Sequence, residues 1–142
     1  MPSIRIHKSA GGVRIPRQML IQLGKIVLHG ERQNRQVTLV FVSDGEMKKL
    51  NRQFRGRNST TDVLSFALDR DDSKEGEIYI SFNEARKNVK RYGGTQTTEF
   101  LKLFCHGLLH LCGIHHTDQE AQAQMVSKEN HYLHQLRKQT VR

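Results

Sequence analysis

Four of the chain's eight histidines fall between His106 and His116, in the run Cys105-His106-Gly107-Leu108-Leu109-His110-Leu111-Cys112-Gly113-Ile114-His115-His116. His106 and His110 are four residues apart, which on a helix separates them by about 40° and lets both imidazoles reach one ion. Gly113 supplies a helix stop, after which the chain turns back so that His116 completes a third corner of a tetrahedron and leaves the fourth for water. His115 competes for that third corner. Three neutral ligands with one open position describe a catalytic zinc rather than a structural one. In H-E-x-x-H peptidases a glutamate follows the first histidine and shuttles protons between the metal-bound water and the leaving amine. Gly107 stands in that place and can do neither, which argues against peptide hydrolysis.

The helix that carries these residues is apolar nearly all round: Phe100, Leu101, Phe104, Cys105, Leu108, Leu109, Leu111 and Cys112 fill the circle outside one polar stripe. Such a helix belongs in the middle of a domain, so the stripe holding His106 and His110 faces a cleft, with Lys102 and Glu99 toward its mouth. Cys105 and Cys112 are separated by roughly 10 Å of helix rise, too far to bridge, and read as reduced, buried thiols in a reducing compartment.

The elements that must position this helix alternate between strand and helix patterns. Ser3 to His7 alternates as a short strand, and Pro16 opens a helix over Arg17 to Leu28. Gln36 to Val42 is β-prone. Ser43-Asp44-Gly45-Glu46 is a capping box for a helix with Met47, Leu50 and Phe54 on one side. Strands are predicted over Asp62 to Leu68 and Glu77 to Ser81, joined by an acidic loop. A second capping box, Ser81-Phe82-Asn83-Glu84, opens a helix to Tyr92, which Gly93-Gly94 closes. Helices over Thr98 to Cys112 and Gln119 to Arg137 follow, and the last residues read as frayed. The fold class is α+β (with α/β the neighbouring reading), one small mixed sheet of about four strands packed with helices.

With 142 residues, 36% hydrophobic and 26% charged, the chain reads as one domain, 1–142, with no repeat or low-complexity segment. It has no apolar leader and no run of the ~20 apolar residues that span a bilayer, so a cytoplasmic protein with no membrane role is expected. The formal net charge of +9 favours polyanionic partners, nucleic acid first.

At this level of detail the chain resembles the bacterial and organellar ribosomal-RNA maturation factors of the YbeY type, proposed to be metal-dependent endoribonucleases. Their signature H-G-x-L-H-L-x-G-x-D-H is matched from His106 to His116 at every fixed position except the aspartate, replaced by His115. Leu50-Asn51 with Phe54-Arg55-Gly56, and Thr61-Asp62-Val63-Leu64-Ser65-Phe66, match the family's L-N-x-x-Y/F-R-G and T-D-V-L-S-F blocks; Gly76-Glu77-Ile78 stands for G-D-I. The resemblance implies a zincin-like fold with a central histidine-bearing helix, one Zn2+ per chain held by His106, His110 and His116, and Arg55 near the metal. The spacing from Gly113 matches the family and favours His116 over His115.

Phosphodiester cleavage suits these residues. Neutral histidines leave zinc its full charge, lowering the pKa of a bound water toward ~7, and a guanidinium can bind phosphate through paired hydrogen bonds. Arg52 and Arg57, and Lys87, Lys90 and Arg91 on the following helix, extend the basic path. The function expected is a zinc-dependent endoribonuclease for single-stranded RNA in ribosomal RNA maturation and ribosome quality control, with ribosomal proteins or assembly factors as further partners. The alternatives are a zinc amidase or peptidase, and a non-catalytic ribosome-assembly factor braced by zinc.

Overall fold

Residues 2–9, 14–115 and 117–140 are described by the computed structural model. The described chain runs β1 (Ser3–Lys8), α1 (Arg17–Gly30), β2 (Gln36–Val42), α2 (Asp44–Arg55), β3 (Val63–Asp69), β4 (Lys74–Ser81), α3 (Phe82–Tyr92), α4 (Gln96–Leu111) and α5 (Gln119–Thr140). The sheet is mixed, in the order β1-β2-β4-β3: β1, β2 and β4 are parallel, and β3 pairs antiparallel with β4 at the edge. The parallel pairs need helical crossovers, which α1 and α2 provide.

Side-chain alternation along the strands gives the sheet two different faces. Val37, Leu39, Phe41, Ile78 and Ile80 point into the main core, with the buried sides of α1, α4 and α5. The opposite face is smaller: Val42, Leu64 and Met47 of α2 are buried there, fringed by Leu50, Phe66 and Tyr79. Phe54, on the same side of α2, is exposed but lies 4.9 Å from the Phe66 ring. On α4, Phe100, Leu101, Leu103, Phe104, Leu108, Leu109 and Leu111 are all buried. At about 1.5–3 kcal/mol each, their burial outweighs helix propensity in deciding where α4 sits.

The caps explain where the helices begin. Ser43 and Glu46 form the reciprocal box expected for α2. Ser81 caps the Glu84 amide at 3.2 Å, but its own hydroxyl donates to Asp44 at 2.8 Å and ties the starts of α3 and α2 together. Thr95 and Thr98 form a further box, so α4 starts at Gln96, two residues before the predicted Thr98. At its other end the Ile114 amide donates to Leu109 O (3.0 Å) and Gly113 adopts φ 89°, a Schellman stop that turns the chain back at the predicted glycine. Helix α5 continues to Thr140, past the Arg137 end read from the sequence.

The C-terminal helix is clasped to α1. Lys128 Nζ donates to both carboxylate oxygens of Glu31 (2.8 and 2.9 Å), and the Tyr132 hydroxyl donates to Oε2 of the same carboxylate. Burial works to raise the Glu31 pKa, but the hydrogen bonds from Lys128 and Tyr132 outweigh it and hold the carboxyl below its ordinary value. Burial and that same contact push the Tyr132 phenol up.

Candidate active site

The polar stripe of α4 places His106 and His110 one turn apart with Nε2 atoms 3.0 Å from each other. Two ligands of one tetrahedral zinc, each at ~2.0–2.1 Å, lie about 3.3 Å apart, so the pair has the spacing that one shared ion requires. The outer nitrogens have other partners: His106 Nδ1 lies 3.1 Å from Glu129 Oε2 on α5, and His110 Nδ1 lies 3.3 Å from His115 Nδ1. A carboxylate accepts, so in this contact Nδ1 of His106 is the donor, which in a neutral ring leaves the Nε2 lone pair for a metal ion.

His115 therefore sits against the far side of the His110 ring rather than beside the Nε2 pair. His116, the third ligand predicted from the sequence, lies outside the described residues. Among the described residues, no three His, Cys, Asp or Glu side chains gather as a metal-holding group. The cysteines do not offer thiolates: both are free, burial pushes the Cys105 thiol up, and burial, with Glu31 nearby, raises Cys112 to about 11.

The two histidines line a cleft of about 470 Å³ whose opposite wall is the end of α2 and the start of β3. Arg55, the last residue of α2, lines it as well. Gly56 ends that helix at φ 67°, and Asn51 Nδ2 donates to Ser59 O (2.8 Å), folding the following loop back so that Thr61 and Asp62 join the wall. Arg52 and Arg57 are exposed but do not line the cleft, nor do Lys87, Lys90 and Arg91. Lys87 pairs with Glu84 at 3.4 Å, and Arg91 lies over the Tyr92 ring at 5.9 Å.

Glu99 is not at the cleft mouth, as the helical wheel suggested. It is buried, 8% exposed, because Asn88 of α3 covers it and donates to its Oε2 at 2.9 Å; Lys102 alone projects from that part of the stripe. Glu77 points away from α4, and its carboxylate accepts from the Tyr79 hydroxyl, whose pKa burial and this contact raise to about 12. Glu129 was missed at the level of sequence. Its signal lay in the spacing of the buried Met125, Tyr132 and Leu136, which puts position 129 on the same apolar stripe of α5.

Gly107 has a steric cause. A Cβ there would stand 2.8 Å from Ser65 Oγ and 3.0 Å from Ile78 Cγ2, because α4 rests directly on β3 and β4 at this residue. The Ser65 hydroxyl donates to Gly107 O at 3.1 Å. The place where a peptidase carries its glutamate faces the sheet here, with no room for a side chain.

A family model described as endoribonuclease YbeY matches residues 9–137. The chain belongs to the endoribonuclease YbeY family. Curated relatives bearing that name include one from Bacillus licheniformis, 31% identical over 137 residues and covering 84% of this chain and 87% of that protein. Another, from Persephonella marina, is 33% identical over 132 residues, covering 89% and 86%. The solution structure of TM1509 from Thermotoga maritima matches with a TM-score of 0.65 at 31% identity, covering 94% of this chain and 88% of that one. The YbeY family's sheet-and-helix fold is thus shared along nearly the whole chain. Among the described residues, no helix is long and apolar enough to cross a membrane.

Proposed function

We propose that this protein is a zinc-dependent endoribonuclease that cuts single-stranded RNA during ribosomal RNA maturation and ribosome quality control in the cytoplasm, where ribosomal proteins or assembly factors are its further partners. Membership of the endoribonuclease YbeY family makes it a hydrolase of RNA phosphodiester bonds. The observation that carries the zinc reading is the Nε2 pair of His106 and His110, 3.0 Å apart in a cleft that Arg55 also lines.

In this reading His106, His110 and His116 hold the ion, with Glu129 and His115 engaging the outer nitrogens of the first two. When bound, zinc supplies a polarising charge for the phosphoryl oxygens and for an attacking hydroxyl. Arg55 binds the scissile phosphate as a paired hydrogen-bond donor and stabilises the charge that grows on its oxygens. The net charge of +9 draws the RNA backbone to the surface before any specific contact forms. Peptide or amide hydrolysis is disfavoured because the wall at Gly107 excludes a carboxylate.

The test is cleavage of a single-stranded RNA by protein of measured zinc content, with the product ends analysed. Arg55→Ala is expected to keep zinc and folding while cutting at least a hundredfold more slowly. Undiminished cutting removes Arg55 from the mechanism. Intact RNA alongside hydrolysed peptides or amides sinks the nuclease reading, and an inert protein that still assembles with ribosomal particles makes the zinc a structural brace.

A further inference from the structure

We infer that the carboxylate of Asp62 is the general base that the H-G-x-x-H helix does not carry. The inference rests on the RNA-cleavage reading above and assigns that reaction a residue. With glycine after the first histidine, the base must come from another element, and the cleft offers few candidates. The guanidinium of Arg55 is a donor with no acceptor site for a proton. The Nε2 atoms of His106 and His110 face each other as ligands of one ion would. Ser65 spends its hydroxyl hydrogen on Gly107 O, and neither it nor Thr61 is basic enough to hold a proton near neutrality. His115 also lines the cleft, and its Nδ1 engages His110, a metal ligand in the reading above. Asp62 is the one carboxylate among the described residues that line the cleft.

Asp62 is held as a base should be held. Its carbonyl oxygen accepts from the Ser81 amide at 2.9 Å, which anchors the backbone at the start of β3. Its Oδ2 accepts from Asn88 Nδ2 at 3.2 Å, and the same amide nitrogen donates at 2.9 Å to Glu99, two turns before His106 on α4. The two hydrogens of one NH2 group serve one carboxylate each. Asp62 is thereby referenced to the helix that carries the histidines, and Oδ1 is left to take a proton. In the reaction, the attacking hydroxyl gives its proton to Asp62 as its oxygen bonds to phosphorus. The bond from phosphorus to the leaving oxygen then breaks, that oxygen takes a proton from solvent, and Asp62 returns its own proton to solvent.

The experiment compares Asp62→Asn and Asp62→Glu with the wild type in single-turnover cleavage of a labelled single-stranded RNA across pH 5–9. Zinc per chain, thermal midpoint and RNA affinity are measured on the same samples. Asp62→Asn keeps the shape and the contact with Asn88 and is expected to lose a factor of about 10² to 10⁴ in rate. Its zinc content is unchanged and its RNA affinity stays within about threefold, as removal of a base alone would leave them. Its remaining rate climbs with pH, as hydroxide replaces the missing base. Asp62→Glu, which keeps a carboxylate, cuts faster than Asp62→Asn at every pH. An Asp62→Asn rate within threefold of wild type overturns the assignment, as does an Asp62→Glu variant no faster than Asp62→Asn. RNA left intact by zinc-loaded wild type overturns the nuclease reading and this assignment together.

Discussion

Gly107→Ala separates a steric role for this glycine from a merely permissive one by the sign of its effect. On an exposed helix the change would stabilise the protein by about 1 kcal/mol, because alanine is the better helix former. Here the new methyl would lie 2.8 Å from Ser65 Oγ and 3.0 and 3.3 Å from two Ile78 carbons, whereas ordinary carbon contacts lie near ~3.5–4.0 Å. Helix α4 has to back away from β3 and β4 by several tenths of an ångström, an overpacking cost of about 1–3 kcal/mol. The Ser65 to Gly107 hydrogen bond stretches with it, at about 1 kcal/mol. Set against the propensity gain, the net is a destabilisation of about 1–3 kcal/mol, or roughly 3–9 °C in Tm for a domain of this size. Denaturant unfolding and calorimetry measure it. Ser65→Ala in the same chain removes the nearer clash and is expected to recover part of the loss. A Gly107→Ala protein more stable than wild type would falsify the packing argument. Gly107→Glu, which restores the peptidase pattern, is expected to misfold rather than to hydrolyse peptides.

Glu129→Gln and Glu129→Ala are expected to weaken zinc binding by about 10–100-fold in chelator competition, with alanine the worse, because the His106 ring loses the acceptor that fixes its tautomer; equal affinity in all three proteins removes Glu129 from the site. His116→Ala is expected to lose most of the zinc counted per chain and His115→Ala little of it, and equal losses would defeat that assignment. Glu31→Gln probes the α5 clasp by pH. A carboxyl held below its usual 4.5 adds stability that is full above that value and is lost as pH falls through the lower folded one. The gap in Tm between wild type and Glu31→Gln is therefore expected to be steady near neutrality and to close on acidification below about pH 4.5, where a widening gap contradicts the clasp.

What could be read from the sequence is what depends on local spacing. The i, i+4 histidines, the apolar circle around them, the Ser43 box and the Gly113 stop are properties of a few adjacent residues, and all stand in the structure. A wheel gives direction around a helix but not depth. Glu99 and Lys102 flank one stripe, yet Asn88 from α3 buries the first and leaves the second in solvent. Glu129 reaches His106 from 23 residues away, across the contact between α4 and α5, which no local pattern specifies. Asp62 lay inside a matched block without a role, because its part depends on a loop folded back by Asn51 and an amide supplied by α3.

Gly107 links these local and distant features. Read as chemistry, it is an absent glutamate, and the helix is short of a base. Read as packing, it lets α4 settle onto β3 until the Ser65 hydroxyl reaches the helix backbone, and β3 is the strand that Asp62 leads into. A glutamate at 107 would need that space and would push β3, with the cleft wall carrying Asp62, away from the histidines. In this chain the helix is bare at that turn, and the base comes from the residue that leads into the strand beneath it. Gly107→Glu is therefore expected to lose activity together with the fold, and Asp62→Asn to lose a factor of about 10² to 10⁴ in rate with the fold intact.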